Sequence, residues 1–337
     1  MERCFELAKK GHPLTYPNPL VGSVIVHKEK IIGEGYHTGY GHSHAEVEAI
    51  AAVKDKSLLS SSTLYVNLEP CAHHGKTPPC ADLIITHEIP RVVIANLDPH
   101  DKVAGKGIAT LKRSGVDVTT GILEEKGAVV NRRFMTFHSQ SRPYIVLKWA
   151  ETADRFMGRD PNDSNQAKSI SNAVANLYVH QLRAESGAIF VGTNTAIEDN
   201  PSLTTRLVNG KNPLRILLDV EGKVPATHNL LADGYPTVVI GKKRKGVNAE
   251  FEQVLAEDSI FDTINKVLLL RNIDQVLIEG GANILTQCIA QNYWDEMHVI
   301  QSQDHWGIGT KAPELPKLKA TNEFTLQDNL VHVYHNK

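Results

Sequence analysis

Apolar positions in the first 120 residues follow two rhythms, one with the 3.6-residue spacing of a helix and one of short unbroken runs. The segment Met1-Glu2-Arg3-Cys4-Phe5-Glu6-Leu7 opens an amphipathic helix expected over 2–12. Runs at 21–27 and 30–37, parted by Lys28-Glu29-Lys30, predict two strands joined by a charged turn. Ala45, Val47, Ala49, Ile50 and Val53 have helical spacing, residues 63–68 form a compact apolar run, and Ala81, Leu83, Ile84 and Ile85 begin another helix near Cys80. A strand over Arg91-Val92-Val93-Ile94-Ala95, a helix near 106–114 and a short strand at 116–119 follow. Strands alternating with helices bury both faces of a sheet, so residues 1–120 are expected to form a three-layer α/β/α domain, largely parallel at its end.

A helix from about Leu123 to His138 then runs into Ser139-Gln140-Ser141-Arg142-Pro143, the clearest boundary in the chain. Beyond it, apolar runs at 144–150, 187–192, 214–219, 237–241, 275–279, 296–300 and 331–334 predict a second set of strands, with helices near 172–186, 262–271 and 282–291. A chain of 337 residues is long for one core and comfortable for two. The expected division is 1–142 and 143–337, both α/β.

Composition narrows the class without naming it. With 36 Lys and Arg against 38 Asp and Glu there is no broad basic surface for a polyanion. No apolar run approaches the roughly 18 residues of a membrane span, and the amphipathic start is unlike a signal peptide. Of the four cysteines, Cys4 and Cys288 read as buried thiols, which suits a reducing cytoplasm.

The other two cysteines carry the sharpest chemistry. His44-Ala45-Glu46 at the start of a helix, Pro70-Cys71 at the end of a strand and Cys80 at the start of the next helix make an imidazole and two thiolates available to one ion. Three such ligands leave the fourth tetrahedral position of zinc for water, the pattern of a catalytic site rather than a structural one. Two helix N-termini beside a strand end favour thiolate over thiol. Zinc lowers the pKa of its water to about 7, and Glu46, close by but not a ligand, is placed to move protons from that water to a departing amine. The chemistry is hydrolytic deamination. Glu69, His73 and His74 are nearby rivals as ligand or shuttle.

His-Ala-Glu with Pro-Cys and a later Cys resembles the cytidine-deaminase-like zinc enzymes, except that eight residues rather than two separate the cysteines. The widened loop Glu69-Pro70-Cys71-Ala72-His73-His74-Gly75-Lys76-Thr77-Pro78-Pro79-Cys80 resembles one branch, the bifunctional deaminase/reductases of riboflavin biosynthesis. Pro17-Asn18-Pro19-Leu20-Val21-Gly22, Asp98-Pro99 and Val103-Ala104-Gly105-Lys106-Gly107 match that branch too, and the likeness runs over nearly the whole length. It implies a phosphoribosylaminopyrimidine substrate, with Asn18, His73 and Lys76 orienting pyrimidine and phosphate. It implies no nucleic-acid or membrane partner, and leaves a homo-oligomer open. A nucleic-acid deaminase would use the same triad, but would want an electropositive track and exposed aromatics; aromatic residues are 6% of this chain.

In the second half, Ile278-Glu279-Gly280-Gly281-Ala282-Asn283-Ile284-Leu285 takes a buried strand through a Gly-Gly turn into a helix. Such a turn can hold a phosphate on free N–H groups, and it also occurs without a ligand. The resemblance implies a dihydrofolate-reductase-like domain with NADPH as cofactor. Ala150, Ser169, Thr195, Asp199, Gly281, Ala282, Asn283, Ile284, Leu285, Thr286 and Gln287 would line the cofactor site, and Arg183, Leu203, Arg206 and Glu279 would contact substrate. The chain departs from the family at Thr152-Ala153-Asp154-Arg155, where many members have Ser-Leu-Asp-Gly, and at Ser169-Ile170-Ser171. A second domain decayed to a binding module is the alternative those departures raise.

Overall fold

The computed structural model describes residues 1–72, 78–100, 104–160, 162–163, 169–254 and 258–336. The chain divides into two compact units, Met1–Ser141 and Arg142–Lys337.

The first unit is built on five strands, β1 (Gly22–His27), β2 (Lys30–Tyr36), β3 (Thr63–Leu68), β4 (Arg91–Asn96) and β5 (Asp117–Thr119), in the order β2-β1-β3-β4-β5. The β1 strand is antiparallel to both neighbours, and β3, β4 and β5 run parallel. Among the described residues six α-helices accompany them: α1 (Glu2–Lys9), α2 (Ala45–Ala52), α3 (Cys80–Thr86), α4 (Lys106–Arg113), α5 (Glu124–Val130) and α6 (Arg132–Gln140). One core joins the apolar faces of α2, α3 and α4 to the sheet through Ile25, Ile50, Leu64, Val66, Ile84, Ile94 and Leu111. Cys4, Leu7 and Val24 form a smaller cluster under α1. The single helix expected near 123–138 is two helices, because the Asn131 side chain turns inward to accept from the Leu20 N–H and donate to the Leu20 carbonyl.

The second unit carries β6 (Tyr144–Glu151), β7 (Phe156–Gly158), β8 (Ala188–Gly192), β9 (Leu214–Leu218), β10 (Thr237–Ile240), β11 (Glu250–Glu252), β12 (Gln275–Ile278), β13 (Glu296–Gln301), β14 (Thr310–Lys311), β15 (Asn322–Leu326) and β16 (Asn329–His335). Nine of them make one sheet, β11-β10-β9-β8-β12-β6-β13-β16-β15, parallel from β11 to β13 and antiparallel at β16 and β15. Its helices are α7 (Ala173–Glu185), α8 (Thr193–Asp199), α9 (Asn229–Ala232), α10 (Ile260–Leu270) and α11 (Ala282–Ala290). A parallel sheet covered on both faces needs strands apolar on both sides, and β8 is buried at every residue. Ile145, Leu147 and Trp149 pack with α10 and α11 on one face, while Val146, Val191 and Leu277 pack with Leu182 of α7 on the other. Among the described residues no helix is long and apolar enough to cross a membrane.

Candidate active sites

Helix α2 must approach the sheet closely to present its first turn, and β2 permits it by having no side chain at Gly35. A Cβ there would lie 2.4 Å from the Ala49 nitrogen and 2.5 Å from the Ala45 carbonyl oxygen. His44 is the N-cap of that helix and Glu46 lies in its first turn. Cys71 follows the end of β3, and Cys80 is the first residue of α3.

These three elements bring the expected ligands together. The His44 Nδ1, Cys71 Sγ and Cys80 Sγ atoms all lie within 4.8 Å of one another. Nδ1 is 3.2 Å from the Cys80 sulfur and 3.5 Å from the Cys71 sulfur. Ligands about 2.0–2.3 Å from a tetrahedral ion stand roughly 3.5 Å apart, so zinc fits the donor set. The Cys80 backbone N–H donates to the Cys71 sulfur at 3.3 Å, so the start of α3 stabilises a thiolate there. The Cys80 thiol and the His44 imidazole hold Cys71 well below the usual thiol range, while its neighbour Cys80 is pushed up. His44 is raised to about 8, first by its bond to Cys71. Glu46 is only 3% exposed, and burial pushes its carboxyl up to about 7.

Glu69 is excluded from both rival roles by its partners. Its carboxylate accepts from the backbone N–H groups of Asp98, Gly105, Gly107 and Ile108 at 3.0 to 3.3 Å. It ties the end of β3 to the start of α4, a structural task. Asn18 is 3.1 Å from His37 Nε2, and His37 Nδ1 is 2.9 Å from the Ser43 carbonyl oxygen. That carbonyl needs a donor, so the proton belongs on Nδ1 and Nε2 accepts from the Asn18 amide. His37 was not singled out in the sequence, and its ring meets that of His44 edge to face at 5.7 Å. The only signal for it was a histidine directly after β2. His73 and Lys76, together with His74, lie outside the described residues.

In the second unit Ala150, Thr195, Glu279 and Gly281 lie at or just beyond the carboxyl ends of β6, β8 and β12, which are neighbours in the sheet. Ile278 pairs with Leu147 on one side and Phe190 on the other, so Glu279 emerges beside Lys148. The Arg183 fork grips Glu279 with Nε on Oε1 at 2.6 Å and Nη2 on Oε2 at 2.9 Å, and Lys148 Nζ is 3.7 Å away. Burial alone would raise Glu279, but Lys148 and Arg183 outweigh it and hold the carboxylate at about 2. Burial lowers Lys148, with the Arg183 charge acting in the same sense, despite Glu279. With Arg183 committed to Glu279, Arg206 is the exposed guanidinium of the pair.

The Gly280-Gly281 turn fits a cofactor phosphate by shape. Gly281 has φ +65°, a Cβ on it would stand 3.2 Å from Thr195 Oγ1, and α11 starts there with no side-chain cap. Ala282 and Ile284 are half-buried, and Asn283, Thr286 and Gln287 are exposed. Leu285 and Leu203 point into the core at 0% and 3% exposure, so only their backbone is available to a ligand. Ala150 is half-buried on β6, while Asp199 at the end of α8 and Ser169 are exposed.

The departure at Thr152–Arg155 leaves a closed turn. Thr152 Oγ1 donates to Asp154 at 2.6 Å, and Asp154 accepts from the Trp306 and Gly307 N–H groups. Arg155 takes the left-handed conformation, φ 69°, that a glycine would adopt more easily, and its guanidinium donates to the Pro313 carbonyl.

Residues 1–96 match the family model for the cytidine and deoxycytidylate deaminase zinc-binding region, and residues 143–315 match the RibD C-terminal domain. The riboflavin biosynthesis protein RibD of Aquifex aeolicus is 38% identical over 322 residues, spanning 94% of this chain and 89% of the relative. The RibD of Bacillus amyloliquefaciens is 39% identical over 94% of this chain and 86% of its own. A Thermotoga maritima diaminohydroxyphosphoribosylaminopyrimidine deaminase/5-amino-6-(5-phosphoribosylamino)uracil reductase superposes with TM-score 0.84 at 34% identity, over 99% of this chain and 97% of that one. Acinetobacter baumannii RibD gives 0.84 at 31% identity, over 98% and 96%. The chain belongs to the RibD family of bifunctional riboflavin-biosynthesis enzymes, a zinc-dependent deaminase followed by an NADPH-dependent reductase.

Proposed function

We propose that the first unit deaminates 2,5-diamino-6-(5-phosphoribosylamino)pyrimidin-4-one and that the second reduces the ribosyl chain of the resulting 5-amino-6-(5-phosphoribosylamino)uracil to ribityl. The observation that carries the reading is the convergence of His44, Cys71 and Cys80 within 4.8 Å, with Glu46 buried beside them and hydrogen-bonded to the Cys80 side chain.

His44, Cys71 and Cys80 would hold zinc, which when bound supplies the Lewis acidity that makes a water nucleophilic near neutral pH. Glu46 handles the protons. A buried carboxyl raised towards neutrality, and drawn down again by a nearby cation, can accept a proton from the attacking water and return it. Its carboxyl passes that first proton to the pyrimidine ring nitrogen, where it stays, then takes the proton of the hydroxyl added to the carbon and gives it to the amine, which leaves as ammonia. Asn18, held by His37, orients the pyrimidine; the family resemblance assigns His73 and Lys76, which lie outside the described residues, to the same substrate.

In the second unit the Gly281–Gln287 segment, with Ala150, Ser169, Thr195 and Asp199, would hold NADPH, which supplies the hydride that reduces C1 of the opened ribose. The Lys148, Arg183 and Glu279 cluster fixes the floor of the substrate site. Arg206 meets the substrate phosphate with a charge-assisted contact.

The test follows ammonia release and NADPH oxidation together on the diaminopyrimidine substrate. Both signals are expected, ammonia first. Ammonia without oxidation would leave a deaminase carrying a silent second unit, and neither signal would overturn the proposal.

A further inference from the structure

The segment that bears Arg206 has little secondary structure of its own and is held by side chains from elsewhere. Arg215 Nη1 donates to the Ser202 carbonyl at 3.0 Å, Arg183 Nη1 to the Thr204 carbonyl at 3.3 Å, and the Thr205 N–H donates to Asn212 Oδ1 at 2.8 Å. The last tie reaches Arg206 itself. Its backbone N–H donates to His180 Nδ1 at 3.1 Å, and the N–H of Leu207 donates to the same nitrogen at 3.4 Å. His180 is 3% exposed and sits on α7 one turn before Arg183, so one helix face holds both the Glu279 ion pair and the Arg206 backbone.

We infer that His180 is a positioning residue for the reductase, whose Nδ1 lone pair fixes the Arg206 backbone so that the guanidinium faces the substrate phosphate. Two N–H donors converging on one ring nitrogen require an unprotonated Nδ1 and place the ring proton on Nε2. The surroundings keep it so: burial first, then the charges of Arg183 and Arg206, push His180 down to about 4, with Lys148 acting in the same sense and Glu279 against it. The ring thus remains an acceptor throughout the neutral range. The inference deepens the assignment of Arg206 to the substrate phosphate and rests on it.

The experiment uses the full-length zinc-loaded protein and the already deaminated substrate, so that only the reductase step is read. An asparagine oxygen can occupy the place of Nδ1, whereas a glutamine amide reaches towards Nε2. His180→Leu and His180→Gln are expected to raise the substrate KM about tenfold, as loss of a partly buried hydrogen-bond acceptor implies. kcat and the NADPH Kd should change far less. His180→Asn is expected to restore KM to near wild type. Equal KM values for His180→Asn and His180→Gln would overturn the inference, and that comparison stands even if the leucine variant fails to fold. Arg206→Ala separates the two levels. If it leaves the substrate KM unchanged, the phosphate assignment itself is wrong; if it raises KM while His180→Gln does not, only the positioning role is lost.

Discussion

Glu46 and Glu69 are buried carboxylates two residues from a proposed zinc ligand, and their partners give them different work. Glu69 spends its oxygens on four backbone N–H groups; Glu46 meets the Cys80 side chain and its own backbone N–H, at the cluster of His44, Cys71 and Cys80. Glu46→Gln is therefore expected to keep zinc and lower deamination by about 10²–10⁴-fold, the usual scale of general acid–base catalysis, as read by ammonia release alongside metal content. Wild-type ammonia release from the variant would refute the shuttle role. Glu69→Gln should do the reverse: zinc content holds, while the first unit loses about 2–3 kcal/mol of stability in urea unfolding, because charge-assisted bonds to backbone N–H groups are weakened. A loss of zinc without loss of stability would return Glu69 to the list of ligands. The proximity of the three proposed ligands was readable in the sequence because zinc chemistry admits few side chains and the strand and helix ends fixed their placement. His37 and His180 were not, since His37 bonds a backbone carbonyl and the Asn18 amide, and His180 bonds backbone N–H groups, contacts that leave no spacing in the sequence.

At the scale of elements, long periodic segments could be read and short exposed ones could not. The strands β6, β8, β9, β10, β12 and β13 are apolar runs buried on both sides, which the sequence displays directly. The β7, β11 and β14 strands have only two or three residues each, and β15 is largely exposed, so none carries a pattern. Helix α8 begins Thr193-Asn194-Thr195, residues that favour turns, and is helical because β8 and its neighbours set where the chain must go. The break at Asn131 depends on a partner 111 residues away. The placement of α2 has a consequence that can be tested. Adding a Cβ at Gly35 collides with two backbone atoms of α2, neither able to yield alone. Gly35→Ala should destabilise the first unit by about 1–3 kcal/mol and displace His44 and Glu46, so that zinc affinity and ammonia release fall together. NADPH binding, housed in a unit with its own core, should persist. Retained zinc affinity would mean that α2 has more freedom than its packing implies.

Over the whole molecule, two cores mean that the two activities answer to different conditions, and the tryptophans allow one unit to be watched alone. Trp149, Trp294 and Trp306 all belong to the second unit. Of the buried groups there that are shifted down, His180 and Glu279 titrate on the acid side of neutrality. His180 is near 4 when folded, below the usual 6.5, so the unfolded chain takes up its proton first and stability falls as pH drops from about 6.5 to 4. Glu279 is near 2 when folded, below the usual carboxylate value, so its contribution is complete above about pH 4.5 and is lost as pH falls towards 2. The second loss is on the order of 3 kcal/mol, from a shift of about two units or a little more at 1.36 kcal/mol each. Urea midpoints followed by tryptophan fluorescence should therefore fall in two stages between pH 7 and pH 2. The His180→Asn variant, which cannot titrate, should lack the upper stage and keep the lower one. A wild-type midpoint that stays constant from pH 7 to pH 4 would show that His180 is not held neutral by the fold, and would remove the electrostatic support for its grip on the Arg206 backbone.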